Sequence, residues 1–226
     1  MIQVATNVRL YWRFLRFLCR WATVLYLKAR CRGVRYVPRT GAVILVCNHQ
    51  SFLDPVLATM ALPREACYMA RDSLFRRRLF KRLIESLNAF PIRRSAADLT
   101  AVKGALRRLK QGMALVMFPE GTRTLDGRVG PMLPGLGTIA RKAAVPIVPT
   151  LIDGAFQAWP RGRALPRPGS VIVEYGPPIR PAEFADLTAE ELVALLRNRL
   201  EIMQHRWHTR LPHRRLEWYL PDEPRA

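Results

Sequence analysis

His49 and Asp54 are the residues of this chain whose types and spacing best suit proton transfer. They sit where the chain changes character abruptly. Val43-Ile44-Leu45-Val46 is wholly apolar, Cys47-Asn48-His49-Gln50-Ser51 turns polar, and Phe52-Leu53-Asp54-Pro55 follows. A strand apolar at every position is one buried on both faces. Aspartate before proline reads as a helix start, because the carboxylate accepts from orphan amides and proline tolerates the first helical position. His49 then stands at the mouth of a strand-to-helix turn, where α/β sheets gather ligands. A separation of five residues is roughly 140° around an ideal helix, so the two side chains cannot share one helical face. A turn between them can bring the carboxylate back to the ring. Such a pair fixes the imidazole, favours its protonated form and leaves the other nitrogen as a base. Spacing alone leaves a second reading open: a capping Asp54 and a merely buried His49.

A second stretch, Phe118-Pro119-Glu120-Gly121-Thr122-Arg123, ends another apolar run. Gly121 lets backbone amides approach a ligand, and the planar fork of Arg123 suits phosphate. The plainer reading is an ordinary turn with one exposed arginine. Ser51 reads as a turn residue or a hydrogen bonder to substrate, since the G-x-S-x-G setting of a serine nucleophile is absent. Gly135-Leu136-Gly137-Thr138-Ile139-Ala140 fits G-x-G-x-x-A, but Pro134 and a loop precede it where a dinucleotide site needs a strand. His205, His208 and His213 lie in an Arg-rich final helix and tail and read as solvated.

The elements that must position these residues follow from periodicity. Residues 7 to about 31 read as a two-faced helix, with Arg9, Arg13, Arg16 and Arg20 on one stripe and Leu10, Phe14, Phe17, Trp21 and Leu25 on the next. Cations beside aromatic rings suit the lipid headgroup boundary. Residues 53–60 continue as a helix, Cys67-Tyr68-Met69-Ala70 is a short strand, and an amphipathic helix runs from Ser73 to about Leu87. Arg76, Arg77, Arg78, Lys81 and Arg82 crowd that helix, a run that is commonly a solvated face. Ala89–Ile92 form a strand, Ser95 with Asp98 a capping box, Gly112 a helix stop, and Ala114–Phe118 a further strand parallel to the last. Residues 119–135 form a long loop, of the kind that carries function in compact domains. Pro146 and Pro149 make 145–152 an edge or irregular strand. Residues 171–175 add another strand, and Thr188 with Glu191 caps a final helix buried through Leu192, Leu196, Leu200, Met203 and Trp207. The expected fold is a single α/β domain with a central, largely parallel or mixed sheet flanked by helices. An N-terminal amphipathic arm occupies 1–32, the domain 33–211 and a loose tail 212–226.

A chain of 226 residues can bury a substantial single core. Lysine and arginine outnumber acids 37 to 17, a net charge of +20 that calls for a polyanionic partner. Cys19, Cys31, Cys47 and Cys67 lack ligand-like spacing, so neither zinc nor a disulfide framework is indicated. No stretch of about 18 uncharged apolar residues is present, so no spanning helix is expected. Arg13, Arg16 and Arg20 break the apolar stretch that a signal peptide would need.

In order along the chain come His49…Asp54, Arg94, Glu120-Gly121-Thr122-Arg123 and Val145-Pro146-Ile147-Val148-Pro149. Over roughly residues 35–180 this order resembles the glycerolipid acyltransferase family typified by 1-acylglycerol-3-phosphate acyltransferase. The resemblance implies transfer of a fatty acyl group from a thioester, acyl-CoA or acyl carrier protein, to a lysolipid hydroxyl, lysophosphatidate foremost. It makes His49 the general base and Asp54 its orienting partner, with no acyl-enzyme. It makes Glu120, Gly121, Thr122 and Arg123 the holders of the acceptor's glycerol phosphate, with Arg94 from the second block and Arg71 where a lysine is usual. Asn48 and Ser51, on either side of the histidine, are counted with the acceptor-binding residues. Asn88 departs from the glycine frequent in the family, and Met132-Leu133-Pro134-Gly135 lacks its usual basic residue, which bears on the acceptor headgroup. The reading needs no cofactor and no metal, and no nucleic acid is expected as a partner. It puts the protein at an anionic membrane surface, peripheral on the cytoplasmic face. The alternatives are an acyltransferase for another headgroup and a non-catalytic basic module binding anionic lipid or nucleic acid.

Overall fold

The computed structural model describes residues 6–92 and 99–211, with the backbone alone at 6–13, 15 and 16. The helices are α1 (Thr6–Leu27), α2 (Asp54–Leu57), α3 (Arg78–Ser86), α4 (Leu99–Lys110), α5 (Gly135–Ala143), α6 (Ala155–Ala158) and α7 (Ala189–Arg210). The strands are β1 (Arg30–Arg32), β2 (Val43–Cys47), β3 (Ala66–Arg71), β4 (Ala89–Ile92), β5 (Ala114–Met117), β6 (Ile147–Asp153) and β7 (Ile172–Tyr175). They form one sheet in the order β1-β7-β6-β2-β5-β3-β4. Strands β6, β2, β5, β3 and β4 run parallel, β7 is antiparallel to β6, and β1 is parallel to β7.

All five residues of β2 are buried, and the pleat divides them between two apolar layers. Ile44 and Val46 join Leu109 of α4, Ile139 of α5 and Leu196 of α7. Val43, Leu45 and Cys47 face the other way, toward Leu27, Leu57, Met60 and Ala155. Each such aliphatic side chain contributes about 1.5–3 kcal/mol by leaving water, so the central strand cannot shift by one residue without inverting both layers. The chain leaving β2 packs on the second layer, whereas the chain leaving β5 packs on the first. Between two neighbouring parallel strands whose exits part in this way a crevice opens at the carboxyl edge. His49 follows β2 and Glu120 follows β5, so that crevice has both sequence motifs on its rim.

Several elements differ from their sequence reading. The arm helix ends at Leu27, and Arg30–Arg32 pair with β7 instead of extending it. The helix expected over 53–60 closes after Leu57, and the one from Ser73 divides into a three-ten turn, Asp72–Phe75, and α3. Strand β6 is neither edge nor irregular: its seven residues are buried between β2 and β7. Pro149 is tolerated because its carbonyl accepts from Gly176 at 2.7 Å, on the β7 side, so its missing N–H also faces that flank and the β2 ladder stays whole. The strand–helix–strand unit expected from β4 to β5 is parallel, but β3 lies between the two. Gly137, of the G-x-G pattern, is a packing residue: a Cβ there would collide with the backbone of Ala189. Thr188 and Glu191 form the expected capping box on α7, and Gly112 at φ 77° closes α4. The Ser95–Asp98 box lies outside the described residues.

Candidate active site

The turn after β2 is held by its own side chains. Asn48 bonds Ile152 of β6 twice, donating to its carbonyl at 2.9 Å and accepting from its amide at 2.7 Å. Gln50 donates to the Gly127 carbonyl at 2.8 Å and accepts from the Phe156 amide at 3.2 Å. The Ser51 hydroxyl donates to the Trp159 carbonyl at 3.1 Å. Asn48, Gln50 and Ser51 are buried, and His49 between them is left partly open.

Asp54 does not cap its own helix. It occupies the first turn of α2, and Oδ2 reaches back to accept from the Gln50 amide at 2.6 Å, the Ser51 amide at 2.7 Å and His49 Nδ1 at 2.7 Å. The capping reading fails because the turn presents its amides to the carboxylate from upstream. The carboxylate is fully buried, and burial pushes it above the usual carboxylate range; the His49 ring and then the Ser51 and Gln50 amides oppose that rise. With Nδ1 engaged, the ring's other nitrogen, Nε2, has no bonded group among the described residues. The imidazole lies against Phe118, with centroids 4.6 Å apart.

The loop after β5 grips the His49 backbone from both sides. The His49 amide donates to Glu120 Oε1 at 2.9 Å, and the Thr124 amide donates to the His49 carbonyl at 2.8 Å. Glu120 is thus turned inward. Burial raises its carboxyl to about 7, opposed by the amides of His49 and Gly130; the charge of Asp54 adds to the rise, and Arg197 opposes it. Gly121 has φ 67°, which favours glycine, and its tight turn leaves Thr122 exposed. Arg123 lies flat on Phe52, its guanidinium carbon 3.4 Å from the ring centroid, and Phe52 packs on Trp159 at 5.4 Å. Burial, then the charge of Arg161, lowers the Arg123 pKa, while Asp54 raises it.

The expected residues therefore divide. His49, Asp54 and the 120–123 turn meet in one crevice. Asn48, Ser51 and Glu120, counted on resemblance as acceptor contacts, have polar groups engaged by backbone partners that brace the turn. Arg71 ends β3 on the same carboxyl edge and is exposed; Arg94 lies outside the described residues. Sequence reasoning passed over Gln50, Thr124 and Gln204, whose amide donates to Gly127 at 2.8 Å and ties α7 to this loop. Phe52, Trp159 and Arg161 were missed too. No local pattern signals them, because their partners lie between 38 and 107 residues away. His208, read as solvated, is wholly buried and bonded to Asp153 at 3.1 Å.

A family model described as "Acyltransferase" matches residues 28–153. Among curated relatives, a Bacillus subtilis 1-acyl-sn-glycerol-3-phosphate acyltransferase is 29% identical over 71% of this chain and 78% of its own length. A protein of the same name from Cocos nucifera is 30% identical over 68% of this chain, which spans about half, 51%, of that relative. The crystal structure of the 1-acyl-sn-glycerophosphate (LPA) acyltransferase PlsC from Thermotoga maritima superposes with a TM-score of 0.78 and 26% identity, covering 92% of this chain and 83% of that one.

Proposed function

The chain belongs to the acyltransferase family, and from that premise we propose that it transfers a fatty acyl group from a thioester to the free hydroxyl of lysophosphatidate, giving phosphatidate. The observation that carries this reading is the 2.7 Å contact between His49 Nδ1 and Asp54, which leaves Nε2 toward the crevice shared with the Arg123 turn. Nε2 takes the acceptor's hydroxyl proton as its oxygen attacks the thioester carbonyl. The tetrahedral intermediate collapses, the C–S bond breaks, and the imidazolium returns the proton to the departing thiolate. Asp54 holds the ring and balances its charge. General-base assistance accounts for about 10²–10⁴-fold, so positioning and oxyanion stabilisation supply the remainder.

Direct transfer fits the absence of a ready nucleophile among the described residues of the crevice. The Ser51 hydroxyl is buried and committed to Trp159. Cys47 is buried, and desolvation pushes its thiol well up, away from the thiolate. Gly121, Thr122 and Arg123 hold the acceptor phosphate, with Arg71 and Arg94 as further cations, and acyl-CoA or acyl carrier protein brings the acyl group. No helix among the described residues is long and apolar enough to cross a membrane. Phe14, Phe17, Trp21 and Leu25 of α1 stand at least half exposed on one stripe, which supports peripheral docking of the arm on anionic lipid at the cytoplasmic face.

Thiol release tests the reading. Purified protein is incubated with acyl-CoA, with and without lysophosphatidate, and free thiol is followed. Acceptor-dependent release that vanishes in His49→Ala is expected. No release with any lysolipid tried, lysophosphatidate included, would favour a non-catalytic basic module.

A further inference from the structure

Helix α3 joins β3 to the edge strand β4, and not one of its nine residues is buried. Its apolar side chains lie on one arc: Leu79, Leu83 and Leu87 follow one another at four-residue steps, and Phe80 and Ile84 stand beside them. Only Ile84 and Leu87 are partly covered by the protein. Leu79 is 82% exposed, and Phe80 and Leu83 also stand in the open, with Leu74 of the preceding turn. A solvated helix would present charge there. Here Lys81 and Arg82 flank the arc, Arg76 and Arg77 lie in the turn before it, and all four are exposed. Glu85 is the one acid on the helix and takes up only Lys81, at 3.8 Å. An open apolar arc rimmed by cations is the pattern of a helix lying in the headgroup layer of an anionic bilayer.

Its place in the fold matches. The turn leading into α3 leaves β3 at the carboxyl edge, the edge that bears His49. Helix α1, with its own exposed apolar stripe, is tied to that edge at the far side of the sheet. The Val171 amide donates to Leu27 at 3.0 Å, and Arg30 pairs with Ile172, itself opposite Asp153 at the end of β6. The strands next to these two helices, β1 and β4, are the two ends of the seven-stranded order, roughly 29 Å apart at ordinary strand spacing. The crevice opens between them.

We propose that α3 is a second bilayer-contacting element, which inserts Leu79, Phe80 and Leu83 among anionic lipids while its arginines meet their headgroups. With α1 it gives the protein two separated footholds and sets the crevice mouth against the lipid surface. The proposal rests on the reading of transfer at a membrane but concerns a different surface. An acidic protein such as an acyl carrier is the competing partner. Its charge would also match, but the bare Leu79 beside the half-open Phe80 favours lipid.

The test uses the full chain with Cys19→Ser and Cys31→Ser and an environment-sensitive dye at Leu79→Cys or, as control on the opposite side of α3, Glu85→Cys. With phosphatidylglycerol-containing vesicles the dye at 79 should shift to shorter wavelength and brighten, and the dye at 85 should not. Replacing Arg76, Arg77 and Arg82 with glutamine should weaken vesicle association about fivefold for each cation removed. A dye at 79 unchanged while the protein cosediments with vesicles would overturn the proposal, as would a response to acyl carrier protein alone. Thiol release on a water-soluble short-chain acceptor is measured in parallel. A silent enzyme whose dye still responds to vesicles would sink the catalytic reading and uphold this surface.

Discussion

His49 and Asp54 are five residues apart in sequence and meet at 2.7 Å; His208 of α7 and Asp153 of β6 are 55 apart and meet at 3.1 Å. Both carboxylates are buried, so burial of the acid does not separate the two pairs. The imidazoles do: the His49 side chain keeps 20% of its surface open, and His208 keeps none. His49 is tied through Nδ1 and turns its other nitrogen to a crevice. His208 is sealed within the domain, where it fastens the last helix to the end of β6, one residue past the Ile152 that Asn48 grips. A histidine–aspartate pair can serve proton transfer only where the second nitrogen has room for a reactant. Elsewhere it is a polar rivet.

Exchanging the two losses gives the largest effect. His49→Ala should lower kcat for acyl transfer by about 10³-fold or more while the protein still folds by circular dichroism. His208→Ala should instead destabilise by about 3 kcal/mol in denaturant unfolding, since it removes a buried ring bonded to Asp153 and leaves a cavity, with kcat of the folded protein nearly unchanged. The opposite pattern would break the comparison. Next, Arg123→Ala should raise the apparent acceptor KM about tenfold with little change in kcat, because the guanidinium binds a group that does not react. An unmoved KM would remove phosphate contact from that side chain.

A smaller effect separates the brace from the base. Burial holds the Glu120 carboxyl at about 7 against an ordinary 4.5. The folded chain therefore binds more protons than the unfolded chain in that window, so this group's contribution makes stability fall as pH rises from about 4.5 to about 7. Unfolding measured across that range should lose this slope in Glu120→Gln; an unaltered slope would mean the carboxyl titrates normally. Last, Thr188→Ala removes the side chain that accepts from the Glu191 amide at 3.1 Å. It should cost about 1 kcal/mol of stability and no activity, since Thr188 caps the start of α7, whereas Gln204, which ties the helix to the crevice loop, lies near its other end.

The sequence by itself determined the strands buried on both faces, the capped final helix with its apolar stripe, and the meeting of His49 with Asp54. Those features are local: Val43–Val46 is apolar at every position, Thr188 and Glu191 lie three apart, and His49 and Asp54 share one turn. What α7 does with His208 could not be read, since a histidine among arginines looks solvated until Asp153 is folded beneath it. Nor could the inward turn of Glu120, the commitment of Asn48 and Ser51 to backbone, or the interior place of β6 despite Pro149. Each depends on which strands become neighbours, and hence on which amides and carbonyls come within about 3 Å of a side chain. Periodicity reports how one segment meets water. Pairing between distant segments is settled only when the sheet order brings them together.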